Sequence, residues 1–253
     1  QGGAGYKYKV EDKIYILTAS HCLFKDGDTF LDKNNEILID ISKSNSIEYG
    51  TIRAQVNSEL LFTEISKDVA VLILNKKEVE NTIGEIPKIS CVKERSTYGD
   101  FITKGFPKAT LGVEIAVLYP TWLHHFDENR FQIQLNEDYS LYSTKGFSGS
   151  PVFLIAKNEI YLFGIFTRFR PEEKGKVIYC QYIETINELL NNNYLPKILF
   201  NYFGNHGLTK DFFKKHIDRS IVGLGPRFTE ELNLKLPIAK YFNDIAKDAL
   251  FFK

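Results

Sequence analysis

Short apolar runs alternate with turn residues from Tyr6 to about Tyr182. The runs are rich in isoleucine, valine, tyrosine and phenylalanine and are too short for helices, so each predicts a β-strand. They read KIYILTA, EILIDI, TIRAQV, DVAVLIL, FITKGFP, EIAVLYP, RFQIQL, SPVFLIA, IYLFGIF and KVIYCQYI. Strands at such regular spacing favour an all-β sandwich or a pair of barrels.

The periodicity becomes helical after Gln181 and ends at the asparagines of positions 191–193, which Pro196 follows. The apolar residues at helical spacing are Tyr182, Ile183, Ile186, Leu189 and Leu190. We therefore predict a domain boundary here, with residues 1–192 as the β domain and residues 193–253 as a helical linker or appendage.

Two segments carry the helical prediction for the appendage. LTKDFFKKHIDRSI follows a candidate cap at Thr209, and Pro237 opens a second stretch. One face of that stretch carries Ile238, Tyr241, Phe242, Ile245, Ala249 and Leu250.

Charge and cysteine content narrow the function classes. The 253 residues include 32 basic and 32 acidic side chains, so no overall attraction to nucleic acid or to an anionic membrane is expected. No apolar run is long enough to span a bilayer. Cys22, Cys91 and Cys180 cannot all pair within one chain and have neither zinc-site nor disulfide-framework spacing. We predict a soluble cytoplasmic protein without nucleic-acid or membrane partners.

Three polar residues lie at the edges of apolar runs. His21 follows ILTAS, Asp68 opens DVAVLIL, and Ser148 lies between glycines in KGFSGSPVF. Taken alone, each residue is more simply explained by a structural role than by catalysis: a structural histidine, an acid in a turn beside a strand, and a serine in a Gly-Ser turn. Together they supply a nucleophile, a base and a carboxylate to orient the base, and the glycines permit a turn whose N–H groups converge on an oxyanion.

The motifs T-A-S-H-C, D-V-A-V-L and G-F-S-G-S-P, in this order and at suitable intervals, resemble the signatures of chymotrypsin-like serine peptidases. The resemblance covers roughly residues 3 to 192. Supporting matches are GAGYKY before the histidine hairpin, GFP at 105–107, FGIFT at 163–167 and CQYIETI at the start of the predicted helix.

This resemblance implies two six-stranded antiparallel β-barrels, packed face to face around a catalytic cleft and followed by a small, mainly helical C-terminal segment. It implies His21 and Asp68 from the first barrel and Ser148 from the second as the catalytic residues. The N–H groups of Gly146 and Ser148 would form the oxyanion hole. The edge of FGIFTRF would bind an extended peptide substrate.

Specificity is expected to differ from that of the best-known members. The resemblance assigns substrate binding to Tyr142, Phe166, Thr167 and Arg168. Tyr142 stands where an enzyme specific for arginine or lysine carries an acid. Phe166 stands where glutamate-specific relatives carry a histidine, although Arg168 or Arg170 could still favour acidic side chains.

Activation is also expected to differ. Phe147 replaces the aspartate that pairs with a newly cut N-terminus in zymogen-derived members, so a conformational or partner-driven switch is predicted instead. Cys22 matches a position that is disulfide-bonded in secreted members, yet no cysteine precedes it. This again favours a reducing compartment.

Other motifs predict no cofactor. Neighbouring His124 and His125 point apart on a strand, which disfavours a metal site. VGLGPRF has glycines but neither a preceding strand nor a Walker lysine, so it predicts no phosphate site.

The segment 223–242, GLGPRFTEELNLKLPIAKYF, resembles one found in large bacterial NLR-like antiphage defence proteins, between an effector and a STAND nucleotide-binding module. Since the chain begins with Gln1 and has no methionine, we expect a piece of such a protein. The partners implied are a protein or peptide substrate, a downstream STAND NTPase module and an oligomeric assembly.

Two alternatives to a regulated intracellular peptidase stay open. One is a non-catalytic module that uses the peptidase fold to bind peptides or to assemble. The other is a secreted glutamyl-type peptidase, which would need an upstream signal or propeptide.

Overall fold

Two β-sheets carry the fold. The structure is a computed structural model, and it describes residues 3–25, 29–30, 36–42, 49–55, 60–83, 90–92, 100–107, 116–136, 145–156, 159–170, 176–201 and 249–252. The predicted all-β, chymotrypsin-like fold class is confirmed, and every predicted strand listed above is present.

The first sheet is antiparallel and has seven strands. In order across the sheet these are β6 (Tyr49–Gln55), β5 (Glu36–Ser42), β18 (Ala249–Phe252), β1 (Gly3–Val10), β2 (Lys13–Thr18), β8 (Val69–Asn75) and β7 (Leu61–Glu64). A short ribbon of β3 (Phe24–Lys25) and β4 (Thr29–Phe30) follows the turn after β2.

Strand β8 shows why its sequence is apolar throughout. Ala70, Leu72 and Leu74 belong to one hydrophobic cluster together with residues of β2 and β5. The alternate residues Val69, Val71 and Ile73 belong to a second cluster that includes strands of the other sheet. Because successive side chains point to opposite faces, a strand buried on both faces is apolar at every position.

The second sheet has nine strands. Its path is β11 (Ala116–Leu118), β10 (Asp100–Gly105), β14 (Pro151–Ala156), β15 (Glu159–Phe169), β16 (Val177–Tyr182), β13 (Arg130–Gln134) and β12 (Thr121–His125). Two short strands join it in parallel, β9 (Ser90–Val92) on β15 and β17 (Phe200–Asn201) on β9.

One bent segment closes the second sheet. Strands β11 and β12 lie at opposite ends of the path, yet only Tyr119 and Pro120 separate them along the chain. Counted as one bent strand, they leave six antiparallel strands in a closed barrel. The six-stranded prediction therefore holds for this sheet, while β18 brings the first to seven.

Helix α2 (Ile183–Asn192) lies against both sheets. Its apolar face, which includes Ile183, Ile186 and Leu190, belongs to the same cluster as Tyr6, Val71 and Phe153. The helical periodicity after Gln181 thus predicted this element within one residue at each end. By packing on both sheets it fixes their relative position beneath the cleft.

The sequence pattern missed helix α1 (Lys76–Ile83). Its residues are mostly polar, and Val79 is its buried contact with the first sheet. The missed signal is a capping residue: Asn75 Oδ1 accepts the N–H of Lys77 at 2.9 Å and of Glu78 at 3.4 Å.

The C-terminal end differs from the prediction. Ala249 and Leu250, expected on a helical face, lie in β18, which pairs with β1 and β5. As a strand, this segment pairs with the facing edges of β1 and β5, whose backbone groups a helix in the same place would leave unpaired. The helices predicted around Thr209 and Pro237 lie outside the described residues. No helix in the described ranges is long and apolar enough to cross a membrane.

Candidate active site

Asp68 occupies a strained turn at the start of β8. The 3-10 turn Ile65–Lys67 precedes it, and its N–H donates to the carbonyl of Ile65 at 3.0 Å. Its φ of 54° is left-handed, a conformation that aspartate and asparagine tolerate better than most residues. Such backbone strain concentrates at functional sites, because the surrounding structure must impose it.

Three donors surround the Asp68 carboxylate. His21 Nδ1 lies 2.8 Å from Oδ2 and 3.0 Å from Oδ1, and the backbone N–H of His21 donates to Oδ1 at 3.0 Å. The Ser20 hydroxyl donates to the same oxygen at 3.2 Å. A carboxylate can only accept, so it holds the proton on Nδ1 and leaves the lone pair of Nε2 for another partner.

His21 lies where β2 gives way to the 3-10 turn Ser20–Cys22. Ser20 and Cys22 are buried, whereas the His21 side chain is 43% exposed. The backbone is therefore fixed while the imidazole faces solvent. A group placed in this way can exchange protons with a bound molecule.

Ser148 lies in a turn shaped by two glycines. Gly146 has a φ of 102° and Gly149 a φ of 86°, values that residues with a Cβ rarely adopt. The N–H of Gly149 donates to Phe166 O at 2.8 Å, and that of Ser150 donates to Phe147 O at 2.9 Å. The first of these hydrogen bonds attaches the turn to β15 at Phe166.

The N–H groups of Gly146 and Ser148 donate to none of the described residues. Both residues are partly exposed, so a ligand can reach them. Two unused N–H groups flanking Phe147 form the kind of donor pair that binds a developing oxyanion. The assignment of these two groups to an oxyanion hole stays a prediction.

The Ser148 turn contacts the histidine turn through the backbone. Ser148 O accepts the N–H of Ala4 at 2.7 Å and the thiol of Cys22 at 3.3 Å. Ser148 is therefore held beside the residue that follows His21. Its hydroxyl makes no hydrogen bond to the imidazole among the described residues. Catalytic hydrogen bonds are often long without substrate and shorten in the complex.

Gly149 has no room for a side chain. A Cβ there would lie 1.9 Å from Ala4 O and 2.2 Å from Thr18 Oγ1, and these two atoms already share a 2.7 Å hydrogen bond.

We therefore expect Gly149→Ala to lower the free energy of unfolding by more than about 2 kcal/mol, from strain and clash together. Denaturant unfolding of the purified variant measures this. A transition midpoint equal to that of the wild type would contradict the close approach of Ala4 to the turn.

Phe147 anchors the turn by packing. Its side chain is 1% exposed, and its ring centroid lies 6.0 Å from that of Phe166. A Cβ on Gly105 would lie 2.7 Å from Phe147 Cδ1, which explains the glycine of the GFP motif. At this position of the turn the structure therefore has a buried aromatic ring and no carboxylate.

A cleft of about 500 Å³ opens beside His21 and Asp68. Its lining comes from both sheets: Ser20, His21, Phe24, Ile65, Ser66, Lys67, Asp68, Arg130, Thr167, Arg168, Tyr179 and Gln181. Of the predicted substrate-binding residues, Thr167 and Arg168 line this cleft, whereas the Phe166 ring is buried beside Phe147 and Phe169. Tyr142 lies outside the described residues.

The three cysteines are free and buried. Burial raises the pKa of the Cys22 thiol to about 12, and it raises the pKa of Cys91 and Cys180 as well. A thiol nucleophile needs a lowered pKa. Cys22 therefore lies beside the site without being its nucleophile. Within the described ranges, no group of three or more histidine, cysteine or acidic residues could hold a metal ion.

Sequence reasoning missed two contributors to the site. Ser20 donates to Asp68, and the only sequence signal was its place next to His21. Ala4 contacts the Ser148 turn through its backbone, so its side-chain type gave no signal.

Comparison with known proteins adds one structural similarity. No protein-family model matches the chain, and no curated protein matches it. Among solved structures, it is similar to a thermostable serine protease, AL20, from an extremophilic microorganism. The sequence identity is 15%, the match covers 72% of this chain and 90% of that one, and the TM-score is 0.46. At this identity the similarity does not extend to particular residues.

Proposed function

We propose that this chain is a serine endopeptidase that acts through His21, Asp68 and Ser148. The observation that carries the proposal is the Asp68 carboxylate, which accepts from His21 Nδ1 at 2.8 Å in a cleft between two sheets. This contact fixes the tautomer that a base needs. The unused N–H groups of Gly146 and Ser148 add the second requirement of acyl transfer.

The proposed reaction uses these groups in turn. Ser148 Oγ attacks the peptide carbonyl while His21 Nε2 accepts its proton, and Asp68 stabilises the imidazolium that forms. The N–H groups of Gly146 and Ser148 stabilise the tetrahedral oxyanion. His21 then protonates the leaving amine, which yields an acyl-enzyme. Water then attacks the acyl carbon while His21 accepts its proton. His21 passes that proton to Ser148 Oγ as the ester bond breaks, which releases the acid product and restores the enzyme.

His21→Ala tests this function. We expect the variant to lose cleavage of unfolded protein and peptide pools by at least about 10³-fold, because no other group can take the Ser148 proton. The exposed His124 on β12 provides the matched control. His124→Ala should cleave like the wild type. Equal cleavage by the His21 variant would refute the proposal.

A non-catalytic module is the second candidate. The missing hydrogen bond between Ser148 and His21 favours it, because a binding protein needs no activated serine. Such a module would bind peptides in the cleft without turnover. The same peptide pools distinguish the two, since binding without cleavage in the wild type supports the module.

We also propose that the peptidase is a regulated effector within an NLR-like antiphage defence protein of the cytoplasm. This proposal rests on the resemblance of residues 223–242, which lie outside the described residues. Three free, buried cysteines are compatible with a reducing compartment. Here, assembly through a STAND module would bring the Ser148 turn into its competent form. Faster labelling of Ser148 by an active-serine probe in the triggered full-length protein than in this chain would support such control.

A further inference from the structure

The cations of the cleft differ in their partners. Lys67 Nζ lies 2.5 Å from Glu188 Oε2, and Arg130 forms ion pairs with Asp127 at 2.5 and 2.6 Å. Burial acts to raise the pKa of Asp127, but hydrogen bonds from Arg130 and from the Asn129 backbone outweigh it and lower that pKa. Arg168 has no carboxylate partner among the described residues. It is the cleft cation whose charge is left for a ligand.

Tyr179 holds the Arg168 guanidinium. The guanidinium carbon lies 5.5 Å from the centre of the Tyr179 ring, and both residues line the cleft that contains His21. When a guanidinium lies over a ring face, its N–H donors point outward in the guanidinium plane and stay available to a ligand. Those donors match the two oxygens of a carboxylate, which arginine binds through parallel hydrogen bonds.

The strand that carries Arg168 has an open edge. Strand β14 pairs with β15 only as far as Ile165, and the Ser148 turn then occupies Phe166. No described strand covers the same edge from Thr167 to Phe169. An extended peptide can add there as an antiparallel strand.

The direction of the added peptide strand determines which peptide residue lies opposite each residue of β15. A peptide antiparallel to β15 enters at Phe169 and reaches the Ser148 turn beyond Thr167. The Ser148 turn bonds Phe166, so the acylated residue lies level with Thr167, the next residue of β15. The residue before it lies level with Arg168, which follows the bulge that β15 forms between Phe166 and Arg168. Side chains directly opposite each other on paired strands share a face. The side chain that precedes the acylated residue thus faces Arg168.

We propose that Arg168 selects peptides with aspartate or glutamate immediately before the acylated residue. This inference rests on the proposed peptidase function for its register, but it concerns recognition alone. Arg168 would act as a specificity-determining residue, while Tyr179 would hold it in position. Lys67 and Arg130, already paired, would contribute little to the selection.

Cleavage of quenched peptide pools tests the selection. The pools carry glutamate, glutamine or lysine at one fixed position, and kcat/KM is measured with the sites of cleavage identified by mass spectrometry. We expect about a ten-fold preference for glutamate over glutamine at the position before the acylated residue, as for a charge-assisted hydrogen bond that is partly exposed. The preference should shrink as salt screens the pair.

Variants at two arginines locate the effect. Arg168→Gln should abolish the preference for glutamate, and Arg168→Glu should reverse it in favour of lysine. The matched control is Arg170→Gln, just beyond the end of the same strand, which should keep the wild-type preference. Cleavage without any glutamate preference in the wild type, or a preference unchanged in Arg168→Gln, would overturn the inference and leave the peptidase function standing.

Binding separates recognition from catalysis. Fluorescent product-like pools, fixed at the residue before their C-terminal one, are titrated into Ser148→Ala and Ser148→Ala/Arg168→Gln proteins. Tighter binding of the glutamate pool by the first protein only would support the inference even if no variant cleaves. Equal affinity of the glutamate and glutamine pools for the first protein would refute it.

Discussion

Ser148→Ala should abolish peptide cleavage while the protein stays folded. Removing the nucleophile of a serine peptidase typically lowers kcat by about 10⁴- to 10⁶-fold, and the remainder comes from binding and the oxyanion hole. The hydroxyl makes no hydrogen bond within the described structure, so its loss leaves no buried group unpaired. Rates on an unfolded protein substrate and thermal unfolding of both proteins measure the two effects.

Ser66, which lines the cleft beside His21 and Asp68, offers a matched control. Its hydroxyl donates to Glu64 at 2.6 Å, away from His21 and Asp68. Ser66→Ala should therefore cleave at close to the wild-type rate. Comparable losses in both serine variants would mean that the cleft, and not Ser148, limits turnover.

Asp68→Asn should also give a large loss. Asparagine tolerates the left-handed turn, so the backbone is expected to survive the change. Its amide cannot accept from the imidazole, the His21 N–H and Ser20 as the carboxylate does, so the wrong imidazole tautomer becomes favoured. We expect kcat to fall by about 10⁴-fold. Steady-state kinetics would show this as a change in kcat more than in KM.

Asp12→Asn controls for loss of an acid elsewhere. Asp12 is exposed in the turn between β1 and β2 and does not line the cleft. This variant should keep wild-type kinetics. An Asp68→Asn enzyme as fast as the Asp12 variant would show that Asp68 does not orient the base.

The spacing of apolar residues predicted the strands, because the side chains that a strand buries recur at regular positions along the sequence. In β8, both faces are buried, and every position from Val69 to Leu74 is apolar. The His21–Asp68 contact was predictable too, since His21 follows the end of β2, Asp68 precedes the start of β8, and these two strand ends pair side by side. Ser148 required the flanking glycines as a further signal, because the φ values of Gly146 and Gly149 demand glycine.

Other features of the structure have no comparable pattern in the sequence. Backbone contacts such as that of Ala4 with Ser148 do not depend on side-chain type. Helix α1 is mostly polar and is identified by its Asn75 cap more than by periodicity. The resemblance assigned Phe166 to substrate binding, but its side chain is buried beside Phe147. Strand β18 pairs with segments distant in sequence, which local patterns do not encode.

The most direct test of the account is covalent labelling by a fluorophosphonate, which reacts with serines activated by a neighbouring base. The labelled protein is digested, and the modified peptide is identified by mass spectrometry. The account predicts label on Ser148 in the wild type, loss of label in His21→Ala, and strongly reduced label in Asp68→Asn. A wild-type Ser148 that stays unlabelled, or one labelled equally in His21→Ala, would contradict it.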